Sequence, residues 1–174
     1  ELSVVEGFRM SKVRRAGRLE VIDRTDARIL LALIQDPRAT VLAIAERVGL
    51  SRNTVQARLA RFDDRQTLTS FDNRIDPAAL GYPLTAFINI QVTQRQLAEV
   101  AQALAEIPEV IEVSGLSGAW DLLARVVARD ADDLYRIAGQ ILASPGVERT
   151  ESSLVMRRLV DHRLTPLLGR IADV

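Results

Sequence analysis

Apolar residues recur with helical spacing through the first third of the chain. Ile29, Leu30, Leu33 and Ile34 make one stripe within residues 23–35 and predict an amphipathic helix there. Pro37 ends it, because proline disfavours helical geometry in the residue before it. Thr40 is placed to cap a second helix over residues 41–48, in which the small Ala45 allows another helix to approach closely. Gly49 supplies the left-handed turn, Leu50 fills the gap, and Ser51 caps a third helix running to about Arg65. Val55, Leu59 and Phe62 stand at i, i+4 and i+7 in that helix and should face the core. Asn53, Gln56, Ala57, Ala60 and Arg61 fall roughly opposite, with Thr54 beside them and Arg52 and Arg58 flanking the stripe.

The period changes further on. Residues 67–76 read as extended, a short strand leaving the helical unit like a wing, and Pro77, Gly81 and Pro83 mark a hinge. Ile88, Ile90 and Val92 alternate with Asn89 and Gln91, which predicts a half-buried strand over residues 84–92. Leu97, Val100, Ala101, Leu104 and Ile107 then form a helical stripe. Strands are expected at 110–116 and 119–128, a helix opened by Asp130 carries Leu134, Ile137, Ala138, Ile141 and Leu142, and a last strand runs from Val147. Leu97, Val100, Ala101, Leu104, Pro108 and Val110 map at one constant offset onto Leu134, Ile137, Ala138, Ile141, Pro145 and Val147. The same β-α-β unit therefore occurs twice, and the order βαββαβ is that of the ferredoxin-like split fold. Two helices would cover one face of its antiparallel sheet, leaving an apolar opposite face that favours dimerisation. The fold class expected is α+β, an N-terminal (winged) helix-turn-helix domain followed by a ferredoxin-like domain.

Composition narrows the chemistry. The 174 residues include 23 Lys and Arg against 23 Asp and Glu, so net charge argues against a protein that coats DNA without specificity. The basic residues nevertheless lean to the front half and the acidic ones to the back. There is no cysteine, and His162 is the single histidine, which leaves no basis for a thiolate or histidine metal site or a Ser/His or Cys/His catalytic system. No nucleophile stands by a plausible base and no Gly-rich phosphate motif follows a strand, so neither an enzyme nor a cofactor is expected. The longest apolar run, residues 29–34, is far too short to span a bilayer, and a soluble cytoplasmic protein is the expectation.

Two segments carry candidate chemistry. A short helix, a glycine turn and a capped third helix with a polar outer face form a helix-turn-helix pattern. Asn53 and Gln56 are suited to adenine edges and Arg61 to guanine, short Ala57 and Thr54 permit close approach, and Ser51, Arg52 and Arg58 stand where phosphates would pass. An ordinary three-helix core with a solvated arginine-rich side has the same pattern. The second segment is the loop around Gly115, Ser117, Gly118, Ala119, Trp120 and Asp121. Its glycines free backbone N–H groups for a carboxylate, and Asp121 could receive an ammonium group, together an amino-acid site. On spacing alone a β-hairpin with turn glycines and a solvated aspartate is the simpler reading.

The ordered set of motifs resembles the Lrp/AsnC (leucine-responsive, feast/famine) regulator family from about Leu19 to Leu159. It runs through "LEVIDRTDARILLAL", "AERVGLSRNTVQARLARF", "RIDPAALGY", "SGAWDLLARV" and "SPGVERTESSLV". The resemblance implies a sequence-specific transcription regulator that binds double-stranded DNA, responds to an amino acid or similar effector, and forms homodimers assembling to octamers. It implies an effector site at the Gly118–Asp121 loop, with Ser152 and Ser153 able to approach a neighbouring site. The chain then divides into a basic N-terminal arm (1–22), a helix-turn-helix domain (23–66), a linker strand and hinge (67–83), an effector-binding and oligomerisation domain (84–160) and a C-terminal tail (161–174). Three positions depart from the family pattern: Gln66 where glycine is common, Trp120 where Tyr or Phe is usual, and a longer N-terminal arm. The competing class is an amino-acid sensor or regulatory subunit acting through a protein partner.

Overall fold

The computed structural model describes residues 21–173 except Gln66 and Ser70, so most of the basic arm and the Gln66 helix exit lie outside the described residues. In chain order the elements are α1 (Arg24–Gln35), α2 (Val41–Val48), α3 (Arg52–Asp64), β1 (Leu84–Val92), α4 (Leu97–Ala105), β2 (Val110–Gly115), β3 (Leu122–Ala128), α5 (Ala131–Leu142), β4 (Val147–Leu154) and α6 (Thr165–Asp173), with short 3-10 turns at Phe71–Arg74, Pro77–Leu80 and Gln94–Gln96. They form two compact units. One holds the helices up to Asn73 and the segment from Val160 onward, and the other is Arg74–Leu159. Among the described residues no helix is long and apolar enough to cross a membrane.

The helical unit packs Ile29 and Leu30 of α1, Ile44, Ala45 and Val48 of α2, and Val55 and Phe62 of α3 into one core. Each helix start is fixed by a side chain that satisfies an otherwise unpaired N–H: Asp23 for α1, Thr40 for α2 and Ser51 for α3. Ile34, expected inward, is exposed, since the end of α1 turns that position to solvent. The expected tail is also different. Residues 165–173 form α6, whose Leu168 is buried in the helical core, with Ile171 and Ala172 packed against it. Arg24 Nε of α1 donates to the Ala172 carbonyl at 2.8 Å, satisfying an end carbonyl of α6.

The strand expected at 67–76 is absent from the described residues. Thr67 N–H turns back to the Phe62 carbonyl at 2.9 Å, and Asp76 caps a turn that Pro77 opens, its side chain accepting from Ala78 N at 3.0 Å. The first bond closes the end of α3 and the second starts the 3-10 turn Pro77–Leu80; with the 3-10 turn at Phe71–Arg74 between them, the described residues of the segment form no wing strand.

In the second unit the strand order is β2-β3-β1-β4, every neighbouring pair antiparallel. This is the ferredoxin-like arrangement that the doubled β-α-β pattern requires. Ile88, Ile90 and Val92 of β1 and Leu122, Ala124 and Val126 of β3 meet Val100 and Leu104 of α4 and Ile137 and Ile141 of α5. Leu97 and Leu142, expected in the apolar stripes, remain exposed at the helix ends. Register places Thr85, Phe87, Asn89 and Gln91 on the opposite face with Leu123, Arg125 and Val127. That face is mixed, not apolar: polar side chains interrupt Phe87, Leu123 and Val127.

At the start of α5, Asp130 caps the helix by accepting from Asp133 N at 2.8 Å. Asp133 is buried and accepts from Arg129 N and Nε at 3.1 Å each and from Arg136 Nη2 at 2.7 Å; Arg136 also reaches Glu109 at 2.6 Å. A buried carboxylate persists only when paired in this way. The side-chain hydrogen bond from Arg129, with help from Arg129 N–H and Arg136, holds the Asp133 carboxyl far below the usual aspartate range. The folded pKa is depressed, so the stabilisation is complete above the unfolded value and is lost as pH falls beneath it. Melting temperatures followed from pH 6 down to pH 2 should drop through the ordinary aspartate range, and Asp133→Asn should be less stable at pH 6 with a flatter acid limb. Parallel limbs for the two proteins would contradict this.

Candidate nucleic-acid interface and effector loop

The turn between α2 and α3 is built by Gly49 at φ 67°, where Leu50 N–H reaches back to the Ala45 carbonyl at 2.9 Å. Arg28 Nη2 of α1 covers the Val48 carbonyl at 2.8 Å. Ser51 Oγ accepts from Thr54 N–H at 3.1 Å and shares a hydrogen bond with Thr54 Oγ1 at 2.8 Å. Two of the expected contact residues, Ser51 and Thr54, thus also fix the first turn of α3.

Beyond that turn Arg52, Asn53, Gln56, Ala57 and Ala60 are all exposed, while Val55 and Phe62 are buried. The outer face of α3 is shallow and polar, with two amide side chains whose paired donor and acceptor fit a base edge. A helix with that face exposed can enter a groove about 12 Å wide.

Arg58 and Arg61 depart from the expectation. Both guanidinium groups turn toward the start of α1. Arg61 Nη2 donates to both oxygens of Asp26 at 2.7 and 2.6 Å, and Arg58 Nη1 to Asp26 Oδ1 at 2.8 Å and to Asp23 Oδ2. Asp26 is 3% exposed. Asp23 and Asp26 also cap each other, Asp26 N–H to Asp23 at 2.8 Å and Asp23 N–H to Asp26 at 3.1 Å. The cause lies in helix geometry: Arg58 and Arg61 are neighbours at i, i+3, and a long side chain beside a buried carboxylate folds back to neutralise it. Burial works to raise the Asp23 pKa, but the hydrogen bonds from Arg58 and Asp26 N–H outweigh it and hold the carboxyl below its usual range. Sequence reasoning missed the aspartates because a capping pair at a helix start looks complete in itself.

The loop in the second unit is closed by Leu116 N–H to the Asp121 carbonyl at 2.8 Å and by Asp121 N–H to the Ile90 carbonyl at 3.1 Å. Gly118 stands at φ 127°, a conformation that favours glycine; Gly115 does not need one. The Asp121 carboxylate accepts from Val92 N–H at 2.9 Å and from the Gln94 side-chain amide. Both oxygens already have internal donors, though each keeps a lone pair for a further one. Trp120 is half-buried, and Arg149 lies over its ring at 4.9 Å from the centroid. Arg149 was missed; it pairs with Gln91, and the bond from Asp121 N–H to the Ile90 carbonyl brings the adjacent Trp120 to that end of β1. Ser152 and Ser153 pair with Ile88 and Phe87, farther along β4, and point to opposite faces. Within one chain they are not brought to Gly115, Ser117, Gly118, Ala119 and Asp121.

A capped helix-turn-helix with a free polar outer face, joined to a ferredoxin-like unit with a glycine loop, defines a DNA-binding protein with a ligand-binding module. Comparison with known proteins supplies the family. Residues 22–62 match the AsnC-type helix-turn-helix domain and residues 85–165 the Lrp/AsnC ligand binding domain. The chain is 31% identical over 136 residues to the HTH-type transcriptional regulator FL11 of Pyrococcus horikoshii, covering 78% of this chain and 90% of that one. Its fold is similar to that of AsnC from E. coli, with a TM-score of 0.75 and 24% identity over 84% of this chain and 99% of that chain. It is also similar to a transcriptional regulator of Neisseria meningitidis in complex with L-methionine, with a TM-score of 0.72 and 26% identity over 83% and 96% of the two chains. The protein belongs to the Lrp/AsnC family, whose members are transcription regulators and not enzymes.

Proposed function

We propose that this protein reads operator DNA through the outer face of α3 and that an amino acid bound near the 115–121 loop adjusts its affinity. The observation that carries the first half is the exposure of Arg52, Asn53, Gln56, Ala57 and Ala60 on a helix anchored by Val55 and Phe62. Asn53 and Gln56 are assigned to base edges, and Arg52, with the Ser51 and Thr54 turn, to phosphates. The second half is supported by Gly118, by the spare acceptor capacity of Asp121, and by the L-methionine complex of the Neisseria relative. Two chains pair through the mixed sheet face that carries Phe87 and Leu123, with further assembly to an octamer, and the protein works in the cytoplasm where its DNA lies. An effector that favours one assembly changes how many recognition helices meet one DNA, which couples the two sites.

The test starts with duplexes enriched by the protein from a random-sequence pool, followed by titrations with and without a panel of amino acids. Asn53→Ala and Gln56→Ala should each weaken specific binding by about 1–3 kcal/mol. Arg52→Ala should weaken all sequences alike and lower the salt slope by about one. Asp121→Ala should abolish the amino-acid response while leaving specific binding intact without effector. Failure to enrich any sequence under every effector condition would favour the sensor acting through a protein partner.

A further inference from the structure

We propose that Asp26 is a positioning residue for DNA recognition: by holding Arg58 and Arg61 it sets the roll of α3 and keeps two cations off the phosphates. The proposal rests on the DNA-reading role of α3 and adds what aims that helix. Apolar contact through Val55 and Phe62 is a narrow stripe, and such contact has little directional preference. A helix resting on it alone can rock about its axis. Hydrogen bonds to a charged group are directional, and those at Asp26 lie off to one side of the stripe. Asp26 receives Arg61 on both oxygens, Arg58 on one and the Asp23 N–H on the other. Those contacts define a second line along α3, one turn long, and two lines of contact fix rotation where one does not. Asn53 and Gln56 lie on the same rigid helix, so their aim follows.

The charge consequence is separate. With Arg58 and Arg61 neutralised by Asp26 and Asp23, Arg52 is the exposed cation of the first two turns of α3. Each arginine released toward DNA would add close to one unit of salt slope without adding sequence information. Holding them back therefore raises the ratio of specific to non-specific binding. A residue that merely supported folding would lower both together.

Asp26→Asn and Arg61→Lys distinguish these roles. The lysine variant keeps the charge but loses the planar guanidinium whose Nη2 bridges both Asp26 oxygens, and its partly exposed site makes it the safer variant if Asp26→Asn does not fold. Titrations against an enriched duplex and a scrambled one, over a range of salt, are the readout. Specific affinity should fall about tenfold or more for either variant. Scrambled-duplex affinity should hold or rise for Asp26→Asn, with a salt slope steeper by up to about two units. The double variant should be no worse than the worse single one. Hydrogen exchange on the DNA-free proteins gives a second readout: α3 amides should exchange faster in both variants while those of α4 and α5 are unchanged. Unchanged α3 exchange overturns the positioning role even if no duplex is ever enriched, whereas failure of the wild type to enrich one counts against the regulator reading alone. The proposal is also overturned if Arg58→Ala and Arg61→Ala each lower the salt slope by about one while Asp26→Asn leaves specific affinity unchanged.

Discussion

Leu168→Ala is expected to destabilise the helical unit by about 2–4 kcal/mol, the range for truncating a leucine in a packed core. Leu168 is 7% exposed and belongs to the cluster that contains Ile29, Ile44, Val55 and Phe62. A helical unit of this size has only a few kcal/mol in hand, at about 0.05–0.15 kcal/mol per residue. Losing α6 altogether also takes Ile171 and Ala172 away from the core and frees Arg24, so a chain ending at Val160 should leave the unit largely unfolded at 37 °C. Trp120 is the single tryptophan and sits in the other unit, so the two can be followed separately. Urea unfolding by far-ultraviolet circular dichroism should show an early helical transition in Leu168→Ala, while the Trp120 fluorescence midpoint stays in place. Coincident and unshifted transitions would show that α6 is dispensable. The helix-turn-helix match ends at residue 62 and the ligand-binding match at residue 165, so α6 beyond Thr165, with Leu168, lies outside both.

Why α6 escaped the sequence reading is a matter of where its stability resides. Thr165–Asp173 is short, carries Pro166 and Gly169, and is held by contact with α1, so local pattern says little about it. The longer elements were legible because their period is repeated: Val55, Leu59 and Phe62 in α3, and Ile88, Ile90 and Val92 in β1, each mark one face. Capping was legible too, since Thr40, Ser51 and Asp130 each act within three residues of themselves. The failures share long sequence separation. Asp26 meets Arg61 across 35 positions, and Trp120 meets Arg149 through the register of three strands. A helical wheel records the direction of a Cβ, not the reach of a guanidinium, and so Arg61 was placed among base-reading residues. The segment at 67–76 alternated only partly, and within this chain the described residues offer it no partner strand. It folds instead as the closure of α3 and the 3-10 turn Phe71–Arg74, up to the Asp76 cap of the next turn.

Gly146 presents the sharpest steric constraint in the second unit, and Gly146→Ala should cost that unit about 2–5 kcal/mol, combining backbone strain with overpacking. Its φ is 92°, which L residues rarely adopt, and an added Cβ would stand 2.9 Å from Val100 Cγ2 and 3.0 Å from Gln96 Cβ. Val100 is fully buried between helix and sheet, so it cannot simply swing away. α4 would have to move. The Gly146 carbonyl also accepts from Thr93 N–H at 3.0 Å, next to Val92, whose own N–H holds Asp121, and to Gln94, which contacts the same carboxylate. A shift of α4 therefore reaches the candidate effector loop, and the Trp120 fluorescence midpoint in urea should fall with it. Gly139→Ala supplies the control of opposite sign. Gly139 lies within α5 with nothing within 4 Å of an added Cβ, so alanine should raise the same midpoint through helix propensity, by up to about 1 kcal/mol. If both variants shifted the midpoint in one direction, the difference between a crowded left-handed turn and an open helical position would not be what sets stability here.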